Sequence, residues 1–160
     1  MWMQKLEVRL KQVRMPELPV EERLQTFNEV ALGYSEEQAL AEAARCLQCT
    51  RPLCVEMCPL HVDIPEFIKL VRLGNYTEAA EKIRQKNCMP SICGRVCPQE
   101  ALCAMGCKNT IGDPINIGAL ERFVADYELE TGVVIPETTP STGKSAVSYT
   151  HLTLPTNREV

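Results

Sequence analysis

At 160 residues the chain reads as one domain with a modest core. Its net charge of −4 gives no basic footprint for nucleic acid, and its apolar runs fall far short of the ~20 residues that span a bilayer, so neither nucleic acid nor membrane is expected as a partner. The stretch from Met1 to Met15 alternates charged and apolar residues without the apolar core of a secretory signal, so the expected compartment is the cytoplasm.

The elements that can be read in chain order are helical. Residues 1–34 form a lead-in segment, with a short amphipathic stretch over 20–31 after Pro19. Ser35 opens a capping box with Gln38, and Ala39, Leu40, Ala43, Ala44 and Leu47 recur at helical spacing, which brings Cys46 and Cys49 to the C-terminal end of that helix. Asp63 caps the next helix, with Pro65 in its first turn, Glu66 three residues on, and Ile64, Phe67, Ile68 and Val71 as its buried stripe; Gly74 ends it. Asn75 and Glu78 box a helix that runs to about Lys86. A short helix starts near Pro98, and a last one spans about 117–130, ending before Gly132. No alternating apolar run reads as a strand before residue 132, so the expected fold class is all-α, a helical two-cluster domain over 35–130 with its cysteine loops between helices. From Thr131 the composition turns to Thr, Ser, Pro and Gly, a linker over 131–146. Val147 to Thr156 resembles the translation of a sequencing adaptor, and residues 147–160 are read as an artefact tail.

Eight of the nine cysteines fall into two quartets, Cys46-x2-Cys49-x4-Cys54-x3-Cys58-Pro59 and Cys93-x3-Cys97-Pro98-x4-Cys103-x3-Cys107. In a reducing compartment such clusters serve metal or redox chemistry more often than disulfides. Close spacing lets several thiolates converge on one iron–sulfur cubane. In two-cluster ferredoxins the last cysteine of a run, the one before proline, crosses to the other cluster. On that pattern Cys46, Cys49 and Cys54 hold one [4Fe–4S] cluster with Cys107 crossing back. Cys58, Cys97 and Cys103 hold the second with one more donor. Two residues compete for that place: Cys93, and Glu121, a carboxylate on the apolar stripe of Ile117, Val124 and Ala125 that is costly to bury unless paired or bound to metal. An ion pair with a nearby arginine, or a side chain snorkelling at the edge of the stripe, would also explain Glu121. Two zinc sites are the rival metal reading, but zinc knuckles come as spaced pairs, and each quartet here is compressed into 13 to 15 residues. Cys88 is left without a role as a small buried hydrophobe, His61 is a loop or capping residue, and Arg45, Arg51, Arg95 and Lys108 read as solvated charges beside the cysteines. No catalytic acid, base or nucleophile is expected in residues 1–146.

Several motifs together resemble one family. They are Glu42-Ala-Ala-Arg-Cys-Leu-Gln-Cys49, Cys58-Pro with Ile64-Pro-Glu-Phe-Ile68, Cys93-Gly-Arg-Val-Cys-Pro-Gln-Glu100, and Pro114-Ile-Asn-Ile-Gly-Ala-Leu-Glu-Arg-Phe-Val-Ala-Asp126. With the Arg14-Met-Pro to Gly33-Tyr34 lead-in, roughly residues 6–146 resemble the N-terminal iron–sulfur domain of the NADPH-dependent glutamate synthase small (beta) subunit and dihydropyrimidine dehydrogenase family. The resemblance implies an α-helical domain with two [4Fe–4S] clusters cross-ligated as above. It implies that Glu121 rather than Cys93 completes the second. It further implies FAD- and NADPH-binding domains beyond the linker, and a partner subunit that accepts the electrons. Lys144-Ser-Ala146 resembles the start of the first flavin-domain strand, but the last glycine is Gly143 and no G-x-G-x-x-G follows. This portion alone is therefore not expected to turn over. Its expected work is electron relay from FAD, with a stand-alone ferredoxin-like carrier or a zinc-stabilised interaction module as alternatives. Asn87-Cys88-Met89-Pro90 and Cys103-Ala104 depart from the family pattern without touching a proposed ligand.

Overall fold

The computed structural model describes residues 10–109 and 112–132, with Pro140 and Gly143. Apart from those positions, the linker expected over 131–146 and the tail over 147–160 lie outside the described residues. Seven α-helices are described: α1 (Val20–Arg23), α2 (Glu36–Ala43), α3 (Leu53–Glu56), α4 (Ile64–Arg72), α5 (Tyr76–Arg84), α6 (Pro90–Val96) and α7 (Ile117–Thr131), with a 3-10 turn at Gln99–Ala101. Among the described residues the only extended pairing is an isolated bridge, Glu17 to Ala31, so the architecture is all-α. No described helix is long and apolar enough to cross a membrane.

The local signals act unevenly. Ser35 and Gln38 form the reciprocal capping box that opens α2. Asp63 and Asn75 stand at the N-cap positions of α4 and α5, but neither side chain caps. Asp63 instead pairs with Lys82 at 3.2 Å and ties α4 to α5. Gly74, at φ 79°, makes the turn between these helices. The amphipathic stretch over 20–31 is helical only in α1. Leu24 and Phe27 stay exposed, so no buried face sustains a longer helix, and the bridge at Glu17 and Ala31 folds the lead-in into a loop. Leu47 is likewise exposed, because α2 stops at Ala43 before the stripe reaches it.

The long α7 is the central element, packed against α2, α4, α5 and α6. Phe67, Ile68 and Val71 of α4 are fully buried with Ala79, Ala80 and Ile83 of α5 and Leu120 and Val124 of α7. Each large apolar side chain so buried contributes about 1.5–3 kcal/mol. Tyr76 stacks edge-on against Phe123 and Tyr127, with ring centroids 5.1 and 5.0 Å away.

A buried polar knot joins the lead-in to this core. Glu42, on the last turn of α2, is fully buried. Its Oε1 accepts from Arg45 Nη1 at 2.5 Å and from the Asn116 backbone N–H at 2.8 Å, and its Oε2 accepts from the Val13 backbone N–H at 2.8 Å. Arg45, read from sequence as a solvated charge, is buried too, and its Nη2 donates to Asp113 O at 2.6 Å. Removing one partner of a buried pair leaves the other uncompensated at a cost of about 3–5 kcal/mol. Arg95 is also engaged: it pairs with Glu29 at 2.6 Å and Asp126 at 2.9 Å, and Arg122 binds the same two carboxylates.

Glu42→Ala is expected to destabilise the loaded protein by about 3–5 kcal/mol, measured as a loss of thermal midpoint against wild type under anaerobic conditions. A Cβ at Gly94, in α6, would stand 2.7 Å from the Arg122 backbone nitrogen and 2.8 Å from its Cα, with no flexible atom to give way. Gly94→Ala is therefore expected to force α6 from α7 and cost about 1–3 kcal/mol in the same measurement.

Candidate functional site

Each quartet is carried by short, irregular pieces that the long helices hold in place. Cys46 and Cys49 lie on the loop that leaves α2, Cys54 lies in α3, and Cys58 lies on the turn just past its C-cap, Met57. Cys93 lies inside α6, Cys97 at its C-cap, and Cys103 and Cys107 on the turns before α7. Sequence reasoning set Cys46 and Cys49 at the end of the helix that in fact stops at Ala43, and expected a helix near Pro98 where there is only the 3-10 turn; it missed α3 and α6, because neither short segment carries an apolar stripe. Gly106 lets the 103–107 turns lie against α3: a Cβ there would stand 2.8 Å from Leu53 O.

Two cavities divide the donors. Cys46, Cys49, Cys54 and Cys107 border the first, walled by Leu53, Ile68 and Ile115. Cys58, Cys93, Cys97, Cys103 and Glu121 border the second, walled by Val62, Phe67 and Leu102. Ile64 and Ile117 belong to both walls, so a single layer of side chains separates the two spaces. All nine cysteines are free, and Cys88 is exposed rather than buried as the sequence suggested. His61 has φ 51°, and its Nδ1 lies 3.2 Å from Val55 O, which makes it a loop residue. Arg51 and Lys108 are exposed, and Lys108 Nζ donates to Arg51 O at 2.6 Å.

The electrostatics mark the same two groups. Burial pushes the Cys54 thiol up to about 12, and the neighbouring Cys107, Cys46 and Cys49 push it the same way. Burial raises Cys46 as well, against hydrogen bonds from Gln48. In the second cavity, burial takes Cys103 to about 12, helped by Cys58, Cys97 and Glu121, and it raises Cys97 beside Cys93 and Glu121. Thiols held so high need a cation to become thiolates, which is what iron supplies on binding. Glu121 is raised to about 7, chiefly by burial. Among the described residues its one hydrogen-bond partner is Asn87, whose Nδ2 donates to Oε1 at 2.8 Å. The arginine that could have paired with it, Arg122, is turned to Glu29 and Asp126.

Sequence reasoning did not find Asn87 or Gln48. Asn87 is nearly fully buried, and its Oδ1 accepts from Met89 N at 3.0 Å while its amide holds Glu121. A lone asparagine at a helix end carries no signal of such a role.

Comparison with known proteins bears on what these cavities hold. Residues 23–133 match a family model described as dihydropyrimidine dehydrogenase domain II, 4Fe-4S cluster. The chain is 42% identical over 126 residues to the glutamate synthase [NADPH] small chain of Escherichia coli K12, covering 77% of this chain and 26% of that protein. It is 39% identical over 123 residues to the NAD-dependent dihydropyrimidine dehydrogenase subunit PreT of the same strain, covering 76% of this chain and 30% of PreT. It is 43% identical over 119 residues to that strain's putative oxidoreductase AegA, covering 72% of this chain and 18% of AegA. The chain thus spans about a quarter of the length of the curated relatives it matches. Both cysteine quartets lie inside the matched residues, and the chain belongs to the dihydropyrimidine dehydrogenase domain II, 4Fe-4S cluster family.

Proposed function

We propose that the chain is the electron-relay domain of an NAD(P)H-dependent flavoprotein oxidoreductase of the glutamate synthase small-chain kind. In this reading it holds two [4Fe–4S] clusters, one on Cys46, Cys49, Cys54 and Cys107 and one on Cys58, Cys97, Cys103 and Glu121. The observation that carries the reading is the division of the donors between two cavities, with Cys54 and Cys58 in the same quartet but on different walls. The donor chemistry fits such groups. Four or five sulfur and carboxylate donors border each cavity, enough for the four ligands of a cubane.

Bound there, the clusters would supply one-electron acceptance and donation. The chain's own part is to present thiolates, exclude water with Ile64, Ile117, Phe67 and Ile68, and set the charge around each centre. Glu121 is favoured over Cys93 as the last donor because it is a buried carboxylate held by one neutral amide, which leaves Oε2 without a protein partner among the described residues. FAD and NADPH would bind to domains beyond this chain, in the cytoplasm, and a partner subunit would take the electrons.

The test is anaerobic expression with iron and sulfide assays and an absorbance spectrum. About eight irons per chain with broad brown absorbance are expected, about half of them lost in Glu121→Ala and none in Cys93→Ser. Loss in Cys93→Ser alone would transfer the ligand position to Cys93, and zinc without iron or sulfide would end the reading.

A further inference from the structure

The loop between Cys46 and Cys49 holds a residue that the ligand set does not use. Gln48 has φ 50°, in the left-handed region that glycine occupies freely and a side chain with a Cβ does not. A glycine would serve the turn better, so a glutamine kept there points to a use for its side chain. That side chain is committed at both ends of a short span: Nε2 donates to Cys46 Sγ at 3.3 Å and to Pro65 O at 3.0 Å, at the start of α4. Within the described residues this is a side-chain donor to a proposed ligand of the first cavity. In the same cavity the Ile115 N–H donates to Cys107 Sγ at 3.5 Å.

The second cavity is different in charge. The Glu121 carboxylate borders it, whereas the first cavity is bordered by Lys108 and by no carboxylate among the described residues. Hydrogen bonds to cluster sulfurs withdraw charge and favour the reduced state, and nearby anions disfavour it. The two centres therefore stand in unlike fields, and Gln48 is the side chain that adds a donor to the first.

We propose that Gln48 is a positioning residue that raises the reduction potential of the first cluster by donating its carboxamide N–H to the Cys46 sulfur. It does so from a strained backbone conformation that its second bond, to Pro65 O, holds in register with α4. The inference rests on the two-cluster reading above. It makes the potential difference between the centres a property of this chain's own loop.

The test uses Gln48→Gly, which accepts the left-handed conformation without a side chain, and Gln48→Met, which keeps the length without a donor. Both are loaded anaerobically and assayed for iron and sulfide, and their midpoint potentials are read by EPR-monitored redox titration. Wild-type iron content tests the two-cluster reading separately. The expected result is wild-type iron in the variants, a fall in one midpoint potential and no change in the other. Unchanged potentials, a rise, or an equal fall at both centres would overturn the proposal, as would loss of iron from both variants, which would leave Gln48 a structural tie. If one variant alone loses iron, the midpoint of the other decides.

Discussion

The buried pair of Glu42 and Arg45 is the constraint on which the rest of the site depends. Three separate parts of the chain meet on it: the lead-in through Val13, the loop over 113–116, and the end of α2. A buried ion pair is not by itself a strong source of stability, since well-packed apolar groups often do as well. What it supplies here is direction. Glu42 accepts from backbone donors on two sides, so the exit of α2 and the start of α7 can meet in only one arrangement. Cys46 follows Arg45 directly, and Ile115, whose N–H reaches Cys107 Sγ, lies between residues that the pair holds.

Tyr34 reinforces this knot. Its hydroxyl donates to Val13 O and accepts from Asn116 Nδ2, the same asparagine whose Oδ1 caps α7 through Ala119 N. Burial, with the Glu42 carboxylate beside it, raises the Tyr34 phenol well above its usual range, so the hydroxyl keeps its proton and remains a donor. The lead-in is thus part of the packing that orients the first cavity, although much of its apolar surface, at Leu24 and Phe27, faces outward.

Helices with a buried stripe were legible in the sequence: α2 through its capping box, α4 through Ile64, Phe67, Ile68 and Val71, and α7 through the stripe that carries Glu121. Elements whose order comes from what surrounds them were not. α3 and α6 are short, carry one cysteine each, and are set by contacts with the turns over 103–107 and with α7. Charge was the other blind spot. Arg95 looked like a surface cation because its partner Glu29 is distant in sequence, whereas Glu42 stands three residues before Arg45 and only the burial of that pair had no sequence signal. The sequence pattern singled out Glu121 as an odd carboxylate on an apolar face, but the amide that holds it, Asn87, comes from a different element and left no trace in the spacing.

The short helix α3 has a mechanical consequence. Cys54, in α3, and Cys58, two residues past its end, are one turn apart, yet they border different cavities, and Ile64 and Ile117 wall both. The Cys58 N–H donates to Val55 O at 3.2 Å and ties the cysteine to the end of α3, so a tilt of α3 that suits one cavity is felt at the other. On the proposed ligand set, filling either site first would draw α3 into place and pre-form the remaining one. Filling the first site would then ease assembly at the second, and oxidative loss at one centre would leave its neighbour in place but less firmly held.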